Sequence, residues 1–153
     1  MRGVGPSLAV VETVDSAKLA DKLQAACAAL SPRRPTPLGV MIQVNTSPWE
    51  GTKGGVAMED VTALATHITA KCAALRLDGL MTIGAPNEPK CFRSLRECRD
   101  ALATTLAIPT ESLALSMGMS NDFEEAVKQG SSSVRVGSSI FGGRLLYAAS
   151  KPK

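Results

Sequence analysis

Short apolar stretches alternate with longer segments of helical period along this chain, and that alternation limits the folds open to it. Leu8–Val14, Leu38–Val44, Leu77–Ile83, then Leu113 with Leu115, then Val134 with Val136 read as strands. Behind a cap at Asp15 or Ser16, Leu19, Leu23, Ala26 and Leu30 recur at helical spacing. Val61, Leu64, Ile68 and Cys72 mark one face of a helix over Glu59 to Leu75. Phe92, Leu95, Cys98 and Leu102 do the same over Pro89 to Leu106. Pro32, Pro35 and Pro37 break the first helix and leave Arg33 and Arg34 on an exposed loop. A β-α-β-α-β-α-β-α-β order implies parallel strands joined by right-handed crossovers.

At 153 residues the chain suits one domain, 1–153. A hydrophobic fraction of 44% and a charged fraction of 20% fit a soluble globular protein. The net charge is +3 with no long Lys/Arg run and 3% aromatics, which gives no support for a nucleic-acid partner. No apolar stretch approaches the roughly 20 residues that a membrane span needs. Met1 to Pro6 has no signal-peptide core, so the expected compartment is the cytoplasm, with mitochondria as the alternative. Cys27, Cys72, Cys91 and Cys98 form no C-x-x-C pair, so no metal site is expected. Cys91 and Cys98 stand two helical turns apart, roughly 10 Å, too far for a disulfide. His67, the single histidine, sits on an outward helix with no ligand set near it in sequence.

The chemistry lies near the C-terminus. Ser116 to Asp122 supplies turn residues, and Asn121 with Glu124, or Asp122 with Glu125, makes a capping-box pair at a helix start. Gly130 ends that helix. Val134 and Val136 put Arg135 on the opposite face of the next strand, and Gly137-Ser138-Ser139 turns away from it. Two small-residue turns at the C-terminal ends of neighbouring parallel strands suit a phosphate, with backbone N–H groups and the hydroxyls of Ser120, Ser138 and Ser139 as donors. In eight-stranded α/β barrels phosphate sits in the loops after the last two strands. An ordinary Ser/Gly-rich loop has the same composition. Thr46 to Val56, with Gly51, Gly54 and Gly55, lacks Walker spacing and reads as a mobile loop at a barrel mouth. Its Lys53 is either a solvated side chain or a cation that draws phosphorylated ligands inward.

Leu115-Ser-Met-Gly-Met-Ser-Asn-Asp122, Ala126-Val127, Gly130-Ser131 and Val134-Arg-Val-Gly-Ser-Ser-Ile-Phe-Gly142 with Arg144 resemble the C-terminal signature of the pyridoxal-phosphate homeostasis proteins. These are small relatives of the alanine-racemase barrel. Ile42-Gln-Val-Asn45 with Ser47, Glu50, Lys53 and Gly54 agrees with it, as does Leu77-Asp-Gly-Leu-Met81 with Ile83 and Pro86. The resemblance runs from Ala9 to Arg144 and covers the later part of the family's barrel. It implies an incomplete TIM-type barrel of parallel (βα) units, with five of eight strands. The family's first strand carries the lysine that joins the cofactor aldehyde; no residue here matches it, so a truncated chain is expected.

Carried across by position, Ser120, Gly137 and Ser138 would hold the phosphate of pyridoxal 5'-phosphate, and Arg135 would face the pyridine nitrogen. A guanidinium stays protonated. Beside the ring nitrogen it disfavours a pyridinium, which weakens the ring as an electron sink and suits it to storage or narrow chemistry. On residues alone, without the resemblance, Arg135 reads as a salt-bridged strand residue. The implied function is non-enzymatic: pyridoxal-phosphate binding and homeostasis, by storage or delivery, with no catalytic residue. A racemase-type enzyme fragment and a non-binding structural remnant are the alternatives; a lysine donor and a second base would mark the enzyme. Open edges at Leu8–Val14 and Val134–Gly137 predict self-association.

Overall fold

The computed structural model describes residues 7–30, 34–51, 53–86 and 88–143. Met1–Pro6, Arg33 and the motif residue Arg144 lie outside them. Five strands are present: β1 (Val10–Val14), β2 (Leu38–Gln43), β3 (Leu75–Met81), β4 (Ala114–Met119) and β5 (Ser133–Arg135). Between them run α1 (Ala17–Ala28), α2 (Val61–Lys71), α3 (Lys90–Leu106) and α4 (Phe123–Lys128), and α5 (Ser138–Phe141) follows β5. The strands pair in chain order, and all four pairings are parallel. They form a curled, incomplete TIM-type barrel with helices on the outer face. Among the described residues no helix is long and apolar enough to cross a membrane.

Alternation along the strands sorts the side chains. On β2, Val40 and Ile42 belong to the apolar cluster shared with the helices, along with Leu23, Ile68 and Leu95. Met41 and Gln43 point the other way, into the concave face, and are also buried. On β4, Leu115 and Met117 face the helices and are fully buried. Ser116, between them, faces inward and is also fully buried. A strand covered on both faces need not alternate apolar with polar.

That burial explains one correction to the sequence reading. Ser116 to Met119 is strand, not turn; the turn begins at Ser120. Ser116 has the composition of a turn, but here it lines the inside of the sheet. A second correction concerns the helix expected to reach Leu75. It stops at Lys71, because Cys72 leaves helical geometry at φ −115°, ψ 67°. Leu75 then opens β3. On α1 the buried stripe is Ala20, Leu23 and Cys27, a small rotation from the expected face. Arg34 does not stand on a free loop: its Nη2 donates to the Leu8 carbonyl at 2.7 Å.

The capping box at α4 is not formed. Asp122 is the N-cap residue, but its Oδ1 accepts instead from the Met119 N–H at 2.6 Å, which tightens the turn after β4. The helix ends as expected at Gly130, at φ 95°. Ser131 N–H donates to Ala126 O and Gly130 N–H to Val127 O, both at 3.0 Å, the paired bonds of a glycine-closed helix end.

Gly118 fixes how closely α4 lies on β4. It sits at φ +94°, and a Cβ there would lie 2.5 Å from Ala126 Cβ and 3.0 Å from Phe123 Cα. Gly118→Ala combines left-handed strain with overpacking and is predicted to cost about 1–3 kcal/mol of stability. A urea denaturation midpoint equal to wild type would contradict this packing.

Candidate functional site

β4 and β5 end side by side, and the turns that follow them meet. Ser120, the first residue after β4, presents its Oγ to the turn after β5. That oxygen accepts from the Gly137 N–H at 3.1 Å and from the Ser139 N–H at 3.3 Å. Two backbone donors therefore converge on one point. The Ser139 bond is long for N–H···O. A Cβ built on Gly137 would have nothing within 4 Å, so the space beside these donors is open.

Ser120, Arg135, Gly137 and Ser138 line one cavity of about 330 Å³, with Pro86 and Asp122 among its other walls. The four residues picked from the sequence are thus brought together. The cavity holds one guanidinium and one carboxylate. An anion there would depend on aimed donors more than on net positive charge.

Arg135 reaches inward from β5 across two strands. Its Nη1 donates to Ser116 Oγ on β4 at 2.7 Å, and its Nη2 donates to the Thr82 carbonyl just after β3 at 2.6 Å. Ser116 Oγ in turn donates to Glu12 Oε2 on β1 at 2.6 Å. Burial lowers the Arg135 pKa; Glu12 and then Asp122 push it back up. Behind the carbonyl, Thr82 Oγ1 donates to the Val44 carbonyl and shares a hydrogen bond with Thr46 Oγ1, both at 2.9 Å. Sequence reasoning missed Glu12, Ser116 and Thr82. The available signal was Glu12, a carboxylate inside an otherwise apolar strand.

The loop after β2 is tied down. Val56 N–H donates to the Gln43 carbonyl at 2.8 Å, Asn45 N–H to the Val56 carbonyl at 2.9 Å, and Gln43 Nε2 to the Gly54 carbonyl at 2.9 Å. Lys53 pairs with Glu50 at 3.9 Å and is not among the residues lining the cavity.

Residues 6–145 match the family model for the N-terminal domain of alanine racemase. The chain belongs to this family. It is 46% identical over 148 residues to the pyridoxal phosphate homeostasis protein of Bos taurus, covering 91% of this chain and 52% of that protein. The Schizosaccharomyces pombe protein of the same name is 45% identical over 140 residues, covering 88% of this chain and 55% of that protein. A protein of unknown function from Bifidobacterium adolescentis superposes with a TM-score of 0.74 at 36% identity, over 86% of this chain and 52% of that one. PipY of Synechococcus elongatus, solved without PLP, superposes with a TM-score of 0.72 at 26% identity, over 87% and 61%. These findings bear out the resemblance drawn from the motifs. The chain spans about half the length of the curated relatives it matches.

The Arg135–Ser116–Glu12 relay crosses the concave face from β5 to β1. Ser116→Ala removes an acceptor from Arg135 and a donor from Glu12. It is predicted to lower stability by about 1.5–3 kcal/mol, the worth of a hydrogen bond to a charged group. An unshifted denaturation midpoint would show that the relay is not formed in solution.

Proposed function

We propose that this chain binds pyridoxal 5'-phosphate and serves its homeostasis, holding or delivering the cofactor without catalysing a reaction on it. The observation that carries this reading is the convergence of Ser120, Gly137, Ser138 and Arg135 on one cavity. The donor set fits the group. The Gly137 and Ser139 N–H groups and the Ser120 hydroxyl supply hydrogen bonds to phosphate oxygens, and glycine lets the anion approach. Arg135 spends two of a guanidinium's five donors on Ser116 and Thr82 and can turn another toward the ring nitrogen. When bound, the cofactor supplies an aldehyde on a pyridine ring. Arg135 keeps that ring nitrogen unprotonated and so curbs its chemistry.

Several observations favour a holding role. The titratable groups lining the cavity are Asp122 and Arg135. Asp122 is committed to the Met119 N–H, and Arg135 to Ser116 and Thr82. Neither is poised to move a proton. The relatives named above are homeostasis proteins by name. The reading assigns no lysine of the described strands to the aldehyde. It also includes self-association, because β1 and β5 end the sheet and leave strand edges open to another chain.

Gly137→Leu separates binding from folding, since the added side chain enters open space. The variant is predicted to keep the wild-type melting temperature while its affinity for pyridoxal phosphate falls roughly tenfold to a hundredfold, the loss of one or more charge-assisted bonds. Calorimetry that finds equal affinity, or no binding by wild type, would overturn the site. Borohydride reduction of the complex followed by peptide mass spectrometry is predicted to leave the lysines unlabelled. Stoichiometric labelling of one lysine would contradict the non-covalent mode.

A further inference from the structure

On the outer face, away from the cavity, α1 and α2 bring three chemically different ligand groups together. Asp21 on α1, His67 on α2 and Cys72 at the α2 C-cap present a carboxylate oxygen, an imidazole nitrogen and a thiol sulfur, all within 4.8 Å of one another. His67 Nε2 lies 2.7 Å from Asp21 Oδ1, and Cys72 Sγ lies 3.9 Å from the same oxygen. The expectation that His67 stands without ligands nearby is therefore corrected. Its neighbours are 46 residues away at Asp21 and at the far end of its own helix.

The local fold explains the grouping. Residues five apart do not share a helix face, but Cys72 has left helical geometry, so its side chain can swing toward the side of His67. Its N–H still bonds Ile68 O at 3.0 Å, which fixes the point of departure.

We propose that Asp21, His67 and Cys72 form a binding site for a zinc-class divalent cation that clips α1 to α2. Mixed O, N and S donors suit such a borderline ion, which takes three protein ligands and a water in a tetrahedron. Bonds of about 2.0–2.3 Å separate tetrahedral ligand atoms by roughly 3.3–3.8 Å. The Asp21–Cys72 distance of 3.9 Å lies just above this range and must close slightly. The Asp21–His67 pair must open by less than about 1 Å, which Asp21 allows because its side chain is 60% exposed. The ion enters from the Asp21 side, since Cys72 is buried. On binding, the Cys72 thiol proton goes to solvent, and His67 exchanges through solvent the Nε2 proton that meets Asp21 for one at Nδ1, so that Nε2 offers its lone pair to the ion. Water fills the fourth position. In the absence of metal, the pair Asp21–His67 is an ordinary hydrogen bond.

Cobalt(II) titrated into the full chain under reducing conditions reports the site. The expected result is one cobalt per chain, a thiolate-to-cobalt charge-transfer band, and loss of that band when zinc is added. Cys72→Ser should abolish the band. His67→Gln, at a half-buried position, should weaken binding by at least the roughly 10–100-fold that loss of a supporting outer-shell contact costs. Cys98→Ser should leave both unchanged. Absence of a thiolate band in wild type, a band that survives Cys72→Ser, or affinity unaltered by His67→Gln would overturn the assignment.

Discussion

The desolvated guanidinium of Arg135 is the interaction on which the concave face depends. A half-buried cation gains from partners for the donors that face inward. The fold does this with groups from three strands: Ser116 on β4, the Thr82 carbonyl after β3, and Glu12 on β1 through Ser116. The relay ties the short edge strand β5, only three residues long, to the rest of the sheet. It also places polar groups on the inside of this part-barrel, beside Met41, where the helix-facing side is apolar. The helices bury Val40, Ile42, Leu115 and Met117, while the inner face shows Gln43, Ser116 and Arg135.

The cavity follows from that arrangement. Parallel strands end in register at one rim, so the turns after β4 and β5 are neighbours although their residues are far apart in sequence. Gly118 lets α4 press close to β4, and Asp122 holds the turn by accepting the Met119 N–H. Ser120 is thereby set opposite the Gly137 and Ser139 N–H groups. Arg135 enters the same cavity from below. On the proposed reading, fixed backbone donors would take the phosphate and the Arg135 side chain would stand beside the ring.

Periodicity made the architecture legible. The β/α alternation, the α3 stripe at Phe92, Leu95 and Leu102, and the Gly130 helix end all hold. The candidate site was legible because its glycines and serines lie in two contiguous turns. What escaped was set by contacts distant in sequence. Ser116 and Gly118 look like turn residues, yet they belong to a strand whose inner face takes a small bonded group and whose outer face must admit α4. Asp122 looks like a capping residue, but a nearer N–H claims it. Glu12 looks like an exposed strand residue until a partner 104 positions away, Ser116, donates to it. Asp21 and Cys72 carry no spacing signal because different helices bring them together.

The central claim is that the rim between the β4 and β5 turns is a pyridoxal-phosphate site with Arg135 beside the ring. A crystal structure of the chain grown with pyridoxal phosphate tests it most directly. The account predicts the phosphorus within hydrogen-bond reach of Ser120 Oγ and the Gly137 N–H, with the ring nitrogen facing the Arg135 guanidinium. Cofactor density at Lys53, or anywhere that leaves the Ser120–Gly137 contact undisturbed, would contradict it.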